Sequence, residues 1–168
     1  IKLALLDMNN NHANQGMKNI REISQQFKET SAENVEITVF DVRYKNEMPN
    51  VEEFDIFISS GGPGNPHREG YEWEQKFADF LDEVWEHNKN SEQKKFLICH
   101  SFQLASIHWK LGNICKRKSY SFGVMPIHKT YQGENDFLLK NLPEPFYAVD
   151  SRAYQFIEPD HKKLDQMS

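Results

Sequence analysis

The chain has 168 residues, about one ordinary domain, with enough length to bury a core without disulfide or metal staples. Its 20 Lys plus Arg against 25 Asp plus Glu give a net charge of −5, a field that gathers neither nucleic-acid phosphates nor an anionic membrane surface. Cys99 and Cys115, the two cysteines, sit in no CxxC or zinc-type spacing, and no apolar run reaches the ~20 residues of a membrane helix, so a reduced, cytoplasmic protein without metal or cofactor is expected.

Short apolar runs alternate with longer segments of helical period, the pattern of a mostly parallel sheet covered by helices on both faces. Residues 3–6 read as a buried strand that runs through Asp7 into an Asn-rich turn at 9–14. A helix follows with apolar positions at Met17, Ile20, Ile23 and Phe27, and Val35, Ile37 and Val39 alternate in a second strand. The third strand, 54–59, ends in Gly61, Gly62, Pro63, Gly64, Asn65 and Pro66. Trp73, Phe77, Phe80, Leu81 and Val84 mark one face of the next helix and read as core rather than as a cofactor box.

A fourth strand, 96–98, runs into Cys99, and Leu104, Ile107 and Leu111 mark a helix expected to stop at Gly112. From Phe122 the pattern turns to short strands and turns, with Phe146, Ala148 and Val149 in one more strand before Ser151. The run Lys116, Arg117, Lys118 reads as a solvated loop and is given no function. With no linker or repeat in view, one domain over 1–168, incomplete at its C-terminal end, is expected.

Ligands of an open parallel sheet bind at the carboxyl ends of its strands, which points to two loops. Glycines at 61, 62 and 64 let the backbone approach a ligand and take positive φ, although such a turn also simply reverses a chain. The second loop places a thiol, Cys99, between a buried strand and the first turn of a helix, the setting of a nucleophile elbow. A helix N-terminus favours the reactive thiolate, whereas the plain alternative is a small buried hydrophobe.

In order, a strand then GGPGNP, a helix, and a strand then CHSFQ with its helix resemble the class I glutamine amidotransferases, across most of the chain. The resemblance implies a three-layer, flavodoxin-like α/β fold. It implies that Cys99 attacks the side-chain amide of glutamine to form a thioester and release ammonia. The N–H groups of Gly62 and His100 would form the oxyanion hole. Gly61, Gly64, Gln103 and the segment Ser151, Arg152, Ala153 would hold the substrate. The implied partners are glutamine and a synthetase domain or subunit that receives the ammonia. The stretch 123–146 resembles the glutaminase of GMP synthase.

Two departures accompany the resemblance. The family has glycine where Leu97 and Ser101 stand, and its later His-x-Glu pair finds no counterpart here; Gln155 to Pro159 echoes the family's final motif only by coincidence. Two rival readings follow. The Cys99–His100 pair also resembles the PfpI-like hydrolases, which would make His100 the base. A catalytically inactive amidotransferase fold would instead serve as a binding module.

Overall fold

The computed structural model describes residues 1–166. The chain divides into two compact units, residues 1–114 with 158 onward, and residues 115–157.

In the first unit, β1 (Lys2–Asp7), β2 (Glu36–Asp41), β3 (Ile56–Ser59) and β4 (Lys94–Leu97) form a parallel sheet in the order β2-β1-β3-β4. Between them lie α1 (Gln15–Thr30), a 3-10 turn (Val51–Glu53) and α2 (Glu72–His87). The elbow helix α3 (His100–His108) follows β4, and α5 (His161–Asp165) returns to this unit.

β1 shows why the sheet is covered on both faces. Successive strand residues point to opposite sides, so Leu3 and Leu5 pack with Met17 of α1. Ala4 and Leu6, with Met8 just beyond the strand, pack with the helices of the other face, α2 and α3. The result is a three-layer α/β architecture. The α2 side carries the larger core, where Phe54, Phe57, Phe80 and Phe77 meet in sequence at ring-centroid distances of 6.1, 5.2 and 6.1 Å. Burial of one such ring stabilises the fold by roughly 1.5–3 kcal/mol. At the start of α2 the carboxylate of Glu74 accepts from the N–H groups of Glu69, Gly70 and Tyr71, which fixes the entry of the chain into the helix.

Three expectations are corrected within these elements. The run 96–98, expected as a buried strand, ends the edge strand β4, which pairs on one side only and leaves Phe96 56 % exposed. In α1 the inward stripe is Met17, Ile20 and Ser24, which leaves Ile23 65 % exposed and Phe27 39 % exposed. Helix α3 ends at Trp109, not at Gly112. Lys110 takes the left-handed conformation at φ 54°, its N–H donates to Ile107, and the Leu111 N–H donates to Ser106. That pair of bonds is a Schellman ending, with lysine where glycine is the usual residue.

The second unit holds β5 (Asn113–Ile127, entering from the first unit), α4 (Tyr131–Asn135) and β6 (Phe146–Ile157). Hydrogen bonds from Arg117 to Gln155, between Tyr120 and Ser151, and from Ser121 to Asp150 advance along one strand as they retreat along the other, so the ribbon is antiparallel. These are two long strands rather than several short ones. The basic run 116–118 lies within β5, and Ser151 falls inside β6 rather than after it.

Candidate active site

Strand β4 ends at Leu97, and the helix begins at His100, so Ile98 and Cys99 carry the whole change of direction. Cys99 does this at φ 52° and ψ −102°, outside the regions a side chain favours. A non-glycine residue held there costs on the order of 1–3 kcal/mol and persists only where its surroundings over-determine it. The bend leaves the Cys99 side chain exposed rather than sealed in apolar packing.

The glycine loop lies against this residue. A Cβ placed on Gly61 would stand 3.3 Å from Cys99 Cβ and 3.9 Å from its sulfur. At Gly62 a Cβ would meet the Met8 carbonyl oxygen at 2.4 Å, so only glycine fits between this loop and the end of β1. The side chain of Gln103 is buried, and its backbone N–H donates to the Cys99 carbonyl at 2.9 Å, which closes the first turn of α3. The His100 N–H belongs to that first turn, whose N–H groups have no acceptor within the helix.

Ser101 is where the structure explains a departure from the family pattern. Fully buried, its hydroxyl donates to the Ser60 carbonyl at 2.6 Å and lies 2.6 Å from the Ser59 hydroxyl. Ser101 has one hydroxyl proton, so Ser59 is the donor in the second bond. Ser60 extends the ladder. Its hydroxyl accepts from the Met8 N–H at 3.0 Å and donates to the Gly61 carbonyl at 2.9 Å. A buried chain of hydroxyls therefore joins the elbow, the end of β3 and the end of β1.

The His100 ring is buried against Trp73, at 6.4 Å between ring centroids, and its Nε2 has no hydrogen-bond partner among the described residues. Burial, aided by the Arg43 charge and opposed by Glu74, pushes its pKa from the ordinary 6.5 down to about 4. It is a neutral ring near pH 7, far from the pKa that suits a general base there. The other histidines singled out from the sequence have polar partners. His108 lies 2.8 Å from Asp82, and His128 lies 2.8 Å from Glu144.

Of the residues selected from the sequence, the structure brings Cys99, Gly61, Gly62, His100 and Gln103 together in the first unit, with Gly64 at φ 108° further along the same loop. Ser151, Arg152 and Ala153 belong to β6 of the second unit. There Ser151 meets the Tyr120 hydroxyl at 2.7 Å, and Arg152 donates to Asp150. Sequence reasoning missed Met8, Arg43, Ser59 and Ser60. The Ser59–Ser60 pair immediately before the glycines was the available signal, and Arg43 offered none.

The chain has a flavodoxin-like, mostly parallel α/β fold. It is similar to the solved structure of a glutamine amidotransferase (TM1158) from Thermotoga maritima, with a TM-score of 0.72 and 17 % identity over 94 % of this chain and 63 % of that one. It is also similar to the crystal structure of SMU.1228c, with a TM-score of 0.69 and 14 % identity over 95 % of this chain and 64 % of that one. The chain thus spans less than two thirds of the length of either structure. No protein-family model and no curated protein matches it. Among the described residues, no helix is long and apolar enough to cross a membrane, and no group of three or more His, Cys, Asp or Glu could hold a metal ion.

Proposed function

We propose that this chain is the glutamine-hydrolysing part of a cytoplasmic amidotransferase, with Cys99 as nucleophile and a synthetase domain or subunit receiving the ammonia. The observation that carries the proposal is the exposed Cys99 side chain on a positive-φ bend with Gly61 packed against it. In the proposed reaction the Cys99 thiolate attacks the side-chain amide carbon of glutamine. A carbon–sulfur bond forms, and the electron pair moves to the oxygen. The N–H groups of Gly62 and His100 receive that charge, at about 3 kcal/mol for one such donor. Collapse expels ammonia and leaves a γ-glutamyl thioester, which water opens to glutamate and free thiol. Gly61, Gly64 and Gln103 hold the substrate. The acid–base group that gives the departing amide nitrogen the proton it needs to leave as ammonia, and then activates water, is assigned to no residue of this chain. His100 is not suited to it, because its ring is buried and neutral. The finer likeness to the GMP synthase glutaminase rests on the texture of residues 123–146.

A chloroketone analogue of glutamine tests the proposal. The thiolate displaces chloride from it, leaving the analogue joined to sulfur at a carbon that mass spectrometry locates. Saturable labelling of Cys99, blocked by glutamine and absent in Cys99→Ala, is expected. A Cys99 that reacts with methyl methanethiosulfonate but shows no saturable chloroketone labelling would point instead to a catalytically inactive binding module.

A further inference from the structure

We propose that Arg43 is a positioning residue for this site, clamping the glycine loop through its carbonyl side while the loop's N–H groups face the substrate. The inference rests on the assignment of Cys99 as nucleophile and adds a residue outside both chemical loops. Arg43 follows β2, and its Nη1 donates to the carbonyl of Pro63, in the glycine loop, and to that of Met8 at 3.4 Å. Met8 is the same carbonyl against which Gly62 packs. One guanidinium nitrogen therefore joins the two backbone segments whose separation sets the position of Gly62.

Three features of its surroundings hold the guanidinium itself. Its carbon lies 4.7 Å from the centroid of the Trp73 ring, a cation–π arrangement on the first turn of α2. The Cβ position of Gly64 is 3.6 Å from Nη2, so the plane also lies along the far side of the loop. The carboxylates of Glu69 and Glu74 offset its charge, and Glu74 is held in place by the three N–H groups at the start of α2. Loop, helix and strand end are thus gathered on one planar cationic group. Lysine offers no plane to stack on Trp73 while one of its donors reaches both carbonyls, and does not replace it.

Clamping of this kind predicts a selective defect. A displacement of the loop by a fraction of an ångström to 1 Å moves the oxyanion donors but leaves the thiol exposed and reactive. Attack on the glutamine chloroketone, whose carbonyl oxygen must seat on those donors to present the chloromethyl carbon to sulfur, should therefore suffer, whereas attack on methyl methanethiosulfonate, which needs no such seat, should not. Arg43→Met keeps an unbranched side chain and removes the donors together with the charge over Trp73. It is expected to slow chloroketone labelling of Cys99 by about 100-fold, the scale of a small misplacement at a catalytic centre, with the thiosulfonate rate nearly unchanged. Arg43→Lys is expected to stay close to Arg43→Met. Far-ultraviolet circular dichroism and tryptophan emission establish that both variants are folded.

Equal chloroketone rates in Arg43→Met and the unaltered protein would overturn the clamp. So would recovery of the full rate by Arg43→Lys, because charge alone would then suffice. An equal loss in both reactions would also overturn it, by showing an effect on the thiol itself. Failure of the unaltered protein to label at Cys99 would instead refute the amidotransferase assignment, so the two ideas fail by different observations.

Discussion

Replacing Ser101 by glycine, the family's residue at that position, separates two accounts of the elbow. If the elbow is crowded, glycine should relieve it and the protein should be as stable or more so. The structure predicts the reverse. Ser101 sits at 0 % exposure between Ser59, at 0 %, and the carbonyl of Ser60, at 1 %, with both hydrogen bonds at 2.6 Å. Losing the hydroxyl removes two bonds and strands a donor on Ser59 and an acceptor on Ser60 away from water. At about 1 kcal/mol net per bond, with 1–3 kcal/mol for a stranded group, Ser101→Ala should cost about 2–4 kcal/mol. Ser101→Gly should cost roughly a further 0.5–1 kcal/mol from the added freedom of glycine in a helix. Urea unfolding read by tryptophan emission measures this cleanly, because Trp73, Trp85 and Trp109 all belong to the first unit. A glycine variant whose midpoint matches or exceeds that of the unaltered protein, at equal slope, would refute the ladder as a stabilising element.

Three other outcomes are expected. His100 holds a folded-state pKa of about 4 against an ordinary 6.5, so above pH 6.5 both folded and unfolded states carry it neutral. Between 6.5 and 4 only the unfolded chain takes up the proton, so unfolding becomes easier as pH falls through that window, by up to about 3 kcal/mol. His100→Asn should flatten that part of the stability–pH curve, and an unchanged slope would show that the ring is not kept neutral. Gly62→Ala brings a Cβ to 2.4 Å from the Met8 oxygen, so the loop must shift. Chloroketone labelling of Cys99 should then fall by about 100-fold, and a rate within a few-fold of the original would remove Gly62 from the oxyanion site. Lys110→Gly, at φ 54°, should raise stability by about 1 kcal/mol in the same urea assay, since glycine adopts that conformation without a Cβ penalty; a loss would mean that the lysine side chain matters more than its backbone.

The strand–loop–helix order was legible because it is written in local chemistry. The apolar run 3–6 has nowhere to go but the buried centre of the sheet, whereas 96–98 ends the edge strand β4 with Phe96 56 % exposed, and consecutive glycines after β3 mark a close backbone approach whatever the partner. The position of Cys99 at a bend between strand and helix was legible because the apolar run 96–98 ends directly at it and the helical period begins directly after it. Elements went wrong where a distant contact decided. Leu111 sends its N–H back to Ser106 and its carbonyl to the Asp160 N–H, so α3 closes before Gly112 is reached, and Lys110 must accept the unusual backbone angle. In the ribbon, Tyr120, Phe122 and Val124 are all exposed and share the period-two alternation that begins among the basic residues. Charge at 116–118 masked the strand, because a solvated strand face and a loop have the same composition.

The hydroxyl ladder was illegible for a topological reason. Ser59 and Ser101 are 42 residues apart and meet only because β3 and β4 are paired in the register that sets Ser59 beside Leu97, two residues before Cys99. The same register lets the Ile98 N–H donate to the Ser59 carbonyl at 3.0 Å, which brings the strand ends level just where the chain must bend. Cys99 can then be held at an angle its side chain disfavours, because the residue two positions on is bonded into β3. Bonds of about 1 kcal/mol each, several of them buried, match the 1–3 kcal/mol such an angle costs. Serine at 101 is therefore a second way to build a tight elbow. Glycine achieves close approach by having no side chain, whereas Ser101 achieves it by turning the contact into a hydrogen bond that also grips the strand end leading into Gly61 and Gly62.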